Sequence, residues 1–280
     1  MPTAKVNNCE IYYELEGAGE WIVFIHGETH GIEMFEHQLP HFARRYRCLA
    51  YYRRGHGKSG CPAYGYSLWN QSHDLVCLLD HLGIERAVIV AVAMSTTVAA
   101  TVAIHHPRRV RAMVLASWYE LDGFPRLEER RKKHPVSFAE LHLTMGRILA
   151  AEGREGLVAF LMREYETYFP IFPKDAGVRE KVARMFASHP AAHYVQSAEF
   201  YTSIPYLIAA MGAVRCPVLG ICGSDDPSPD NPALLAHLPN FRQAWIAGAR
   251  RFALMEQPEA FNREVDAFLA ALEARGRTKG

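Results

Sequence analysis

No apolar run in the sequence reaches the roughly eighteen uncharged residues that a membrane-spanning helix needs. The opening stretch MPTAKVNNCEIYYELEG likewise lacks the apolar centre of a secretory signal. There is no charge excess either. The 31 Lys and Arg against 30 Asp and Glu leave +1, too little for a global field that would draw nucleic acid or an anionic membrane. Six cysteines (Cys9, Cys48, Cys61, Cys77, Cys216, Cys222) are scattered, with no C-x-x-C pair, which argues against a disulfide framework and a zinc cluster. Repeats and low-complexity tracts are missing too. These absences point to a cytoplasmic protein whose partner is a small molecule, with no nucleic acid and no membrane involved.

What is present is enough apolar material, 49% of 280 residues, for one sizeable core. The first half alternates short β-branched runs, apolar on both faces, with segments of helical period, the rhythm of βαβ units around a parallel sheet. Strands are expected at about 11–16, 21–25, 47–52, 87–92 and 112–117, then at 217–222 and 243–247. Helices are expected near 67–82, 94–105 and 258–274. Between them, LEERRKKH, FAELHLTMGRILAAEG, REGLVAFLMREYETYF and REKVARMFASHP read as amphipathic helices punctuated by Pro and Gly. The implied organisation is a core of residues 1–117 and 214–280 with a helical cap inserted over 118–213. The fold class is α/β, with a mostly parallel, doubly wound sheet.

The stretches IVFIHG (22–27), YRRGHGKSG (52–60), HDLVCLLDHLGIERAVIVAVAMSTTVA (73–99), HPRRV (106–110), PVLGICGSDD (217–226) and AGARRFALMEQPEAF (247–261) together resemble the α/β-hydrolase superfamily, in its order and at its spacing. The resemblance implies a strained G-x-S-x-G turn that presents a serine nucleophile. Ungapped alignment from LGIERA sets that turn at Ala91-Val92-Ala93-Met94-Ser95, so alanine stands at the nucleophile position. A methyl group cannot attack a carbonyl. The family's acid maps to Asp226, with Asp225 beside it, and its histidine to Arg251, which stays protonated and cannot act as a general base. A fixed Asp226–Arg251 charge pair is the expectation. His26-Gly27 keeps the family's oxyanion loop, with Glu28 next in line, and Tyr52 stands where Asp is usual. The main-chain amides of Glu28 and Met94 are the implied oxyanion donors.

Glu28 and His30 form a candidate base and acid pair, against the plain alternative of solvated loop residues. Ser95 in a first helical turn is more suited to bonding the main chain than to attack. His26, Tyr52, Val92, Ser95, Trp118 and Tyr119 are expected to line the pocket, as is Ser117 at a strand's C-terminal end. Of Tyr51 and Tyr52, one should pack and the other offer its phenol. His30, Glu33 and His37, or His37 and His41, have spacings that suggest metal ligands, but Pro40 interrupts the second pair and the resembled family needs no metal. No metal and no cofactor are expected. The leading functional expectation is cofactor-free, non-hydrolytic acid–base chemistry of lyase, isomerase or cyclase type on a small organic molecule. The alternatives are an ester, lactone or carbon–carbon hydrolase inactivated by serine-to-alanine substitution at 93, and a non-catalytic ligand-binding protein. Apolar cap surface leaves a homodimer open.

Overall fold

The computed structural model describes residues 2–117, 138–168, 171–197, 199–200, 210–226 and 238–277. Its strands are β1 (Thr3–Val6), β2 (Cys9–Gly17), β3 (Trp21–Ile25), β4 (Arg47–Tyr51), β5 (Ala87–Val92), β6 (Val110–Ala116), β7 (Val218–Gly223) and β8 (Phe241–Ile246). They form a single sheet in the order β1-β2-β4-β3-β5-β6-β7-β8. The β1–β2 and β2–β4 pairings are antiparallel and all others are parallel. β1 was not foreseen, because four residues alternating between exposed and buried give too short a pattern to separate from a loop.

The helices are α1 (Leu39–Phe42), α2 (Leu68–His81), α3 (Ser95–His105), α4 (Phe138–Tyr168), α5 (Ala176–Phe186), α6 (Ala191–Gln196), α7 (Ala253–Glu256) and α8 (Pro258–Arg277). α2 starts where Ser67 Oγ accepts the Asn70 amide, and α5 where Asp175 accepts that of Val178 at 2.9 Å. α4 covers two of the amphipathic segments and breaks at Gly153, whose left-handed backbone interrupts the helix at the boundary between them. α6 was not anticipated; it follows Pro190, where the pattern of the preceding helix was expected to end. The LEERRKKH segment, together with Trp118 and Tyr119, lies outside the described residues.

Two-residue alternation divides the central strands between two cores. Ile22, Phe24, Val88, Val90, Val92, Val114, Leu219 and Ile221 face one side, where they meet α8 and the α4 and α5 side chains Met145, Leu157, Leu161 and Phe186. Val23, Ile25, Ile89, Ala91, Met113, Leu115 and Val218 face the other, against α2 and α3. The helices between β6 and β7 therefore share one continuous core with the sheet. The loops that follow the C-terminal ends of β3, β4, β5 and β7 all emerge along one edge.

Candidate functional site

β5 runs straight into α3 through Ala93, which takes a left-handed φ of 51° and is buried. For an L-residue this conformation costs roughly 1 kcal/mol or more, so the surrounding main chain must hold it. It does: the Ala93 amide donates to Ala116 O at 2.9 Å, and the Thr96 amide donates to Ala93 O at 3.0 Å. Ser95 completes the turn. Its Oγ accepts the Val92 amide at 2.9 Å and lies 2.7 Å from the Ile25 carbonyl, so its hydroxyl serves the main chain. Met94 turns its side chain into the opposite core, and its amide sits at the start of α3.

Asp226 and Arg251 meet across the same edge. Arg251 Nε donates to Asp226 Oδ2 at 3.0 Å and Nη2 to Oδ1 at 3.4 Å, with side chains only 4% and 6% exposed for the acid and the base. Their loops are laced together. Asp225 N donates to Ala249 O and Gly248 N to Ser224 Oγ, both at 2.9 Å. Gly223 leaves the room for this, since a Cβ there would lie 2.2 Å from both Ala249 O and Arg250 O. Ser117, expected to line the pocket, instead donates its hydroxyl to Arg251 O at 2.6 Å and so fixes the arginine's main chain. Asp225 turns outward to Lys174, between β6 and β7 in the chain.

The loop after β3 departs most from expectation. Glu28 and His30 are not solvated; both are buried. Glu28 Oε2 accepts from Arg53 Nη2 at 3.0 Å, while Oε1 lies 3.3 Å from His56 Nε2 and 3.1 Å from His193 Nε2. Burial alone would raise the Glu28 pKa, but the Arg53 guanidinium outweighs it and holds the carboxyl well below its usual range. A carboxylate so engaged is a poor proton carrier. His26, another expected pocket residue, is consumed structurally: Nδ1 donates to Gly27 O at 2.8 Å and Nε2 accepts the Arg53 amide at 3.0 Å. Tyr52 hydrogen-bonds Glu33 through its phenol, while Tyr51 packs into the opposite core.

His30 lies between the rings of Phe252 and Phe186, at centroid distances of 5.0 and 5.5 Å. Gly27 permits this approach, because a Cβ there would stand 2.5 Å from His30 Nδ1. Burial, then the charges of His56, Arg251 and Arg53, push its pKa down to about 3, so the ring is neutral at pH 7. Its Nδ1 has no hydrogen-bond partner among the described residues.

A family model described as the alpha/beta hydrolase fold matches residues 20–140. The 3-oxoadipate enol-lactonase 2 of Acinetobacter baylyi is 25% identical over 89% of this chain and 88% of its own length. The chain has the α/β-hydrolase fold. Two solved structures share this fold across its length. The enol-lactonase from Burkholderia xenovorans LB400 has a TM-score of 0.77 at 21% identity, covering 96% of this chain and 100% of that one. A thermophilic esterase from Thermogutta terrifontis has a TM-score of 0.76 at 20% identity, covering 97% and 99%.

Sequence reasoning missed Arg53, His56, His189 and His193 as members of the site. The ring centroids of His56 and His193 are 4.2 Å apart, and His189 lies 4.9 Å from His56 and 5.0 Å from His193. His56 follows β4, whereas His189 and His193 flank the start of α6. The available signal was SHPAAHY, two histidines four apart, overlooked in favour of His37 and His41. Those two sit elsewhere: His37 faces Glu36, and His41 pairs with Asp266 at 2.7 Å. None of the described helices is long and apolar enough to cross a membrane.

Proposed function

We propose that this chain binds a small organic molecule over the C-terminal edge of the sheet and transforms it without a serine acyl-enzyme, in non-hydrolytic chemistry that needs no organic cofactor. The described helices between β6 and β7, namely α4, α5 and α6, act as its cap. The observation that carries this reading is Ala93 held at φ 51° on the β5–α3 turn, a methyl group in the place from which the superfamily's nucleophile attacks. The engaged state of Arg251 supports it, because a guanidinium clamped to Asp226 accepts no proton.

On this reading the amides of Glu28 and Met94 hold a developing oxyanion, and the Arg251 charge favours a carbonyl or anionic oxygen nearby. His30 faces the reacting group as a neutral imidazole, polarising a carbonyl by hydrogen bonding instead of abstracting a proton strongly, as a depressed pKa dictates. Glu28 passes from proton carrier to positioning residue, since Arg53 already occupies one of its oxygens.

A second reading, an acyl hydrolase with alanine standing for serine at 93, is favoured by the intact turn and by hydrolases among the relatives. A nitrophenyl ester assay separates the two. Wild type and Ala93→Ser should both be silent, and Ala93→Ser/Arg251→His should recover turnover only if the turn still presents its side chain to substrate. Hydrolysis by wild type with an acyl adduct trapped on the chain would overturn the proposal.

A further inference from the structure

The geometry points to a buried divalent transition-metal site of the zinc class, formed by Glu28 Oε1, His56 Nε2 and His193 Nε2. These three atoms lie within 4.8 Å of one another, and all three residues are buried. The Oε1–Nε2 separations of 3.3 and 3.1 Å match the ligand-to-ligand edge, about 2.9–3.4 Å, of a polyhedron with bonds near 2.0–2.1 Å.

The hydrogen-bond inventory carries the argument. His56 Nδ1 lies 2.9 Å from Arg54 O, a group that only accepts, so the proton of the neutral ring is on Nδ1. Nε2 then turns a bare lone pair toward a carboxylate oxygen, an arrangement that repels unless a cation lies between. This is also the outer-shell pattern of a metal-bound histidine, one nitrogen ligating and the other donating to a carbonyl. His193 has neither ring nitrogen hydrogen-bonded among the described residues, so it can carry its proton on Nδ1 and leave Nε2 bare. Both Nε2 atoms approach Oε1 without making a hydrogen bond, as ligands of one ion do when their lone pairs meet at the ion and off the line between them.

The other two histidines of the cluster mark the contrast. His26 has both nitrogens committed. His189 Nδ1 accepts the Gly57 amide at 3.2 Å, so that ring packs beside the ligands and does not join them. Arg53 holds the second oxygen of Glu28 and orients the carboxylate. Two neutral imidazoles, one carboxylate and this arginine leave the loaded site with a net positive charge, which suits water, hydroxide or an anion at a fourth position. The N₂O donor set excludes a calcium-type oxygen cage and fits zinc, cobalt or nickel. Because Glu28 and His56 come from sheet loops and His193 from α6, the ion would tie α6 to the loop that carries the Glu28 amide.

The test uses the full chain stripped with EDTA and dialysed. Titration with Co²⁺ should saturate at one equivalent with the intense visible bands of a low-coordinate nitrogen–oxygen site, and Zn²⁺ should displace it and raise Tm by about 5 °C at a hundredfold excess over Kd. His193→Gln and Glu28→Gln should each weaken binding by about tenfold or more, while His37→Gln leaves it unchanged. Absence of stoichiometric uptake by wild type overturns the assignment. So does undiminished uptake by either ligand variant with a wild-type circular dichroism spectrum. If a variant misfolds, the wild-type cobalt spectrum decides alone: bands of an all-water ion refute the site.

Discussion

Replacing Arg251 by leucine removes one half of a buried ion pair and leaves the Asp226 carboxylate without its guanidinium. At the observed 3.0 Å and an effective dielectric of 20, the attraction between the two charges is about 5.5 kcal/mol. Desolvation of both groups offsets much of it in the wild type, whereas the single variant keeps the desolvated carboxylate and loses the attraction. The expected loss is therefore about 3–5 kcal/mol at pH 7.5, read as a lower urea midpoint. Arg251→Leu/Asp226→Leu should regain most of it, because no buried charge remains. A loss below about 1 kcal/mol, or a double variant no better than the single one, would refute the view that these side chains form a water-excluded pair.

Three further outcomes are expected. Gly223→Ala drives a methyl group into two carbonyl oxygens at 2.2 Å and should lower stability by about 3 kcal/mol or more, with Tm falling in a thermal scan; an unchanged Tm would mean the loops can part freely. Ala93→Gly relieves a left-handed alanine and should stabilise by up to about 1 kcal/mol after the added chain entropy is counted, whereas a loss of 1 kcal/mol in urea unfolding would contradict the strain. His30, with its folded pKa lowered to about 3 from 6.5, makes the unfolded chain the better proton binder between those values. Stability should fall from pH 6.5 downward by about 1.4 kcal/mol per unit, and His30→Phe should flatten that slope; an unaltered slope assigns it to other groups.

The parts of this molecule legible in the sequence are those with local cause. β3 and β5 sit on the residues anticipated, because a strand buried on both faces is an uninterrupted β-branched run with turn residues at its ends. Ala93 was placed by spacing from a strand that did not shift, and the Asp226–Arg251 pair followed from two loops leaving neighbouring strands. Glu28 was misjudged for the opposite reason. A polar residue on a short loop looks solvated until something covers it, and what covers it is a histidine from α6, far along the chain. His56 stands in YRRGHGKSG, a stretch compared with the resembled family only at Tyr52, and His193 lies past Pro190, beyond the last amphipathic segment legible before β7.

The turn at Ala93 owes its shape to amides and carbonyls and to the Ser95 hydroxyl, not to the group it displays. Position 93 thus behaves as a socket: whatever side chain is fitted there will be thrust forward in one orientation by a scaffold indifferent to its chemistry. A cysteine installed at that point would become an anchor for thiol-directed labels or tethered fragments, reporting what the covered space accepts before any natural ligand is in hand.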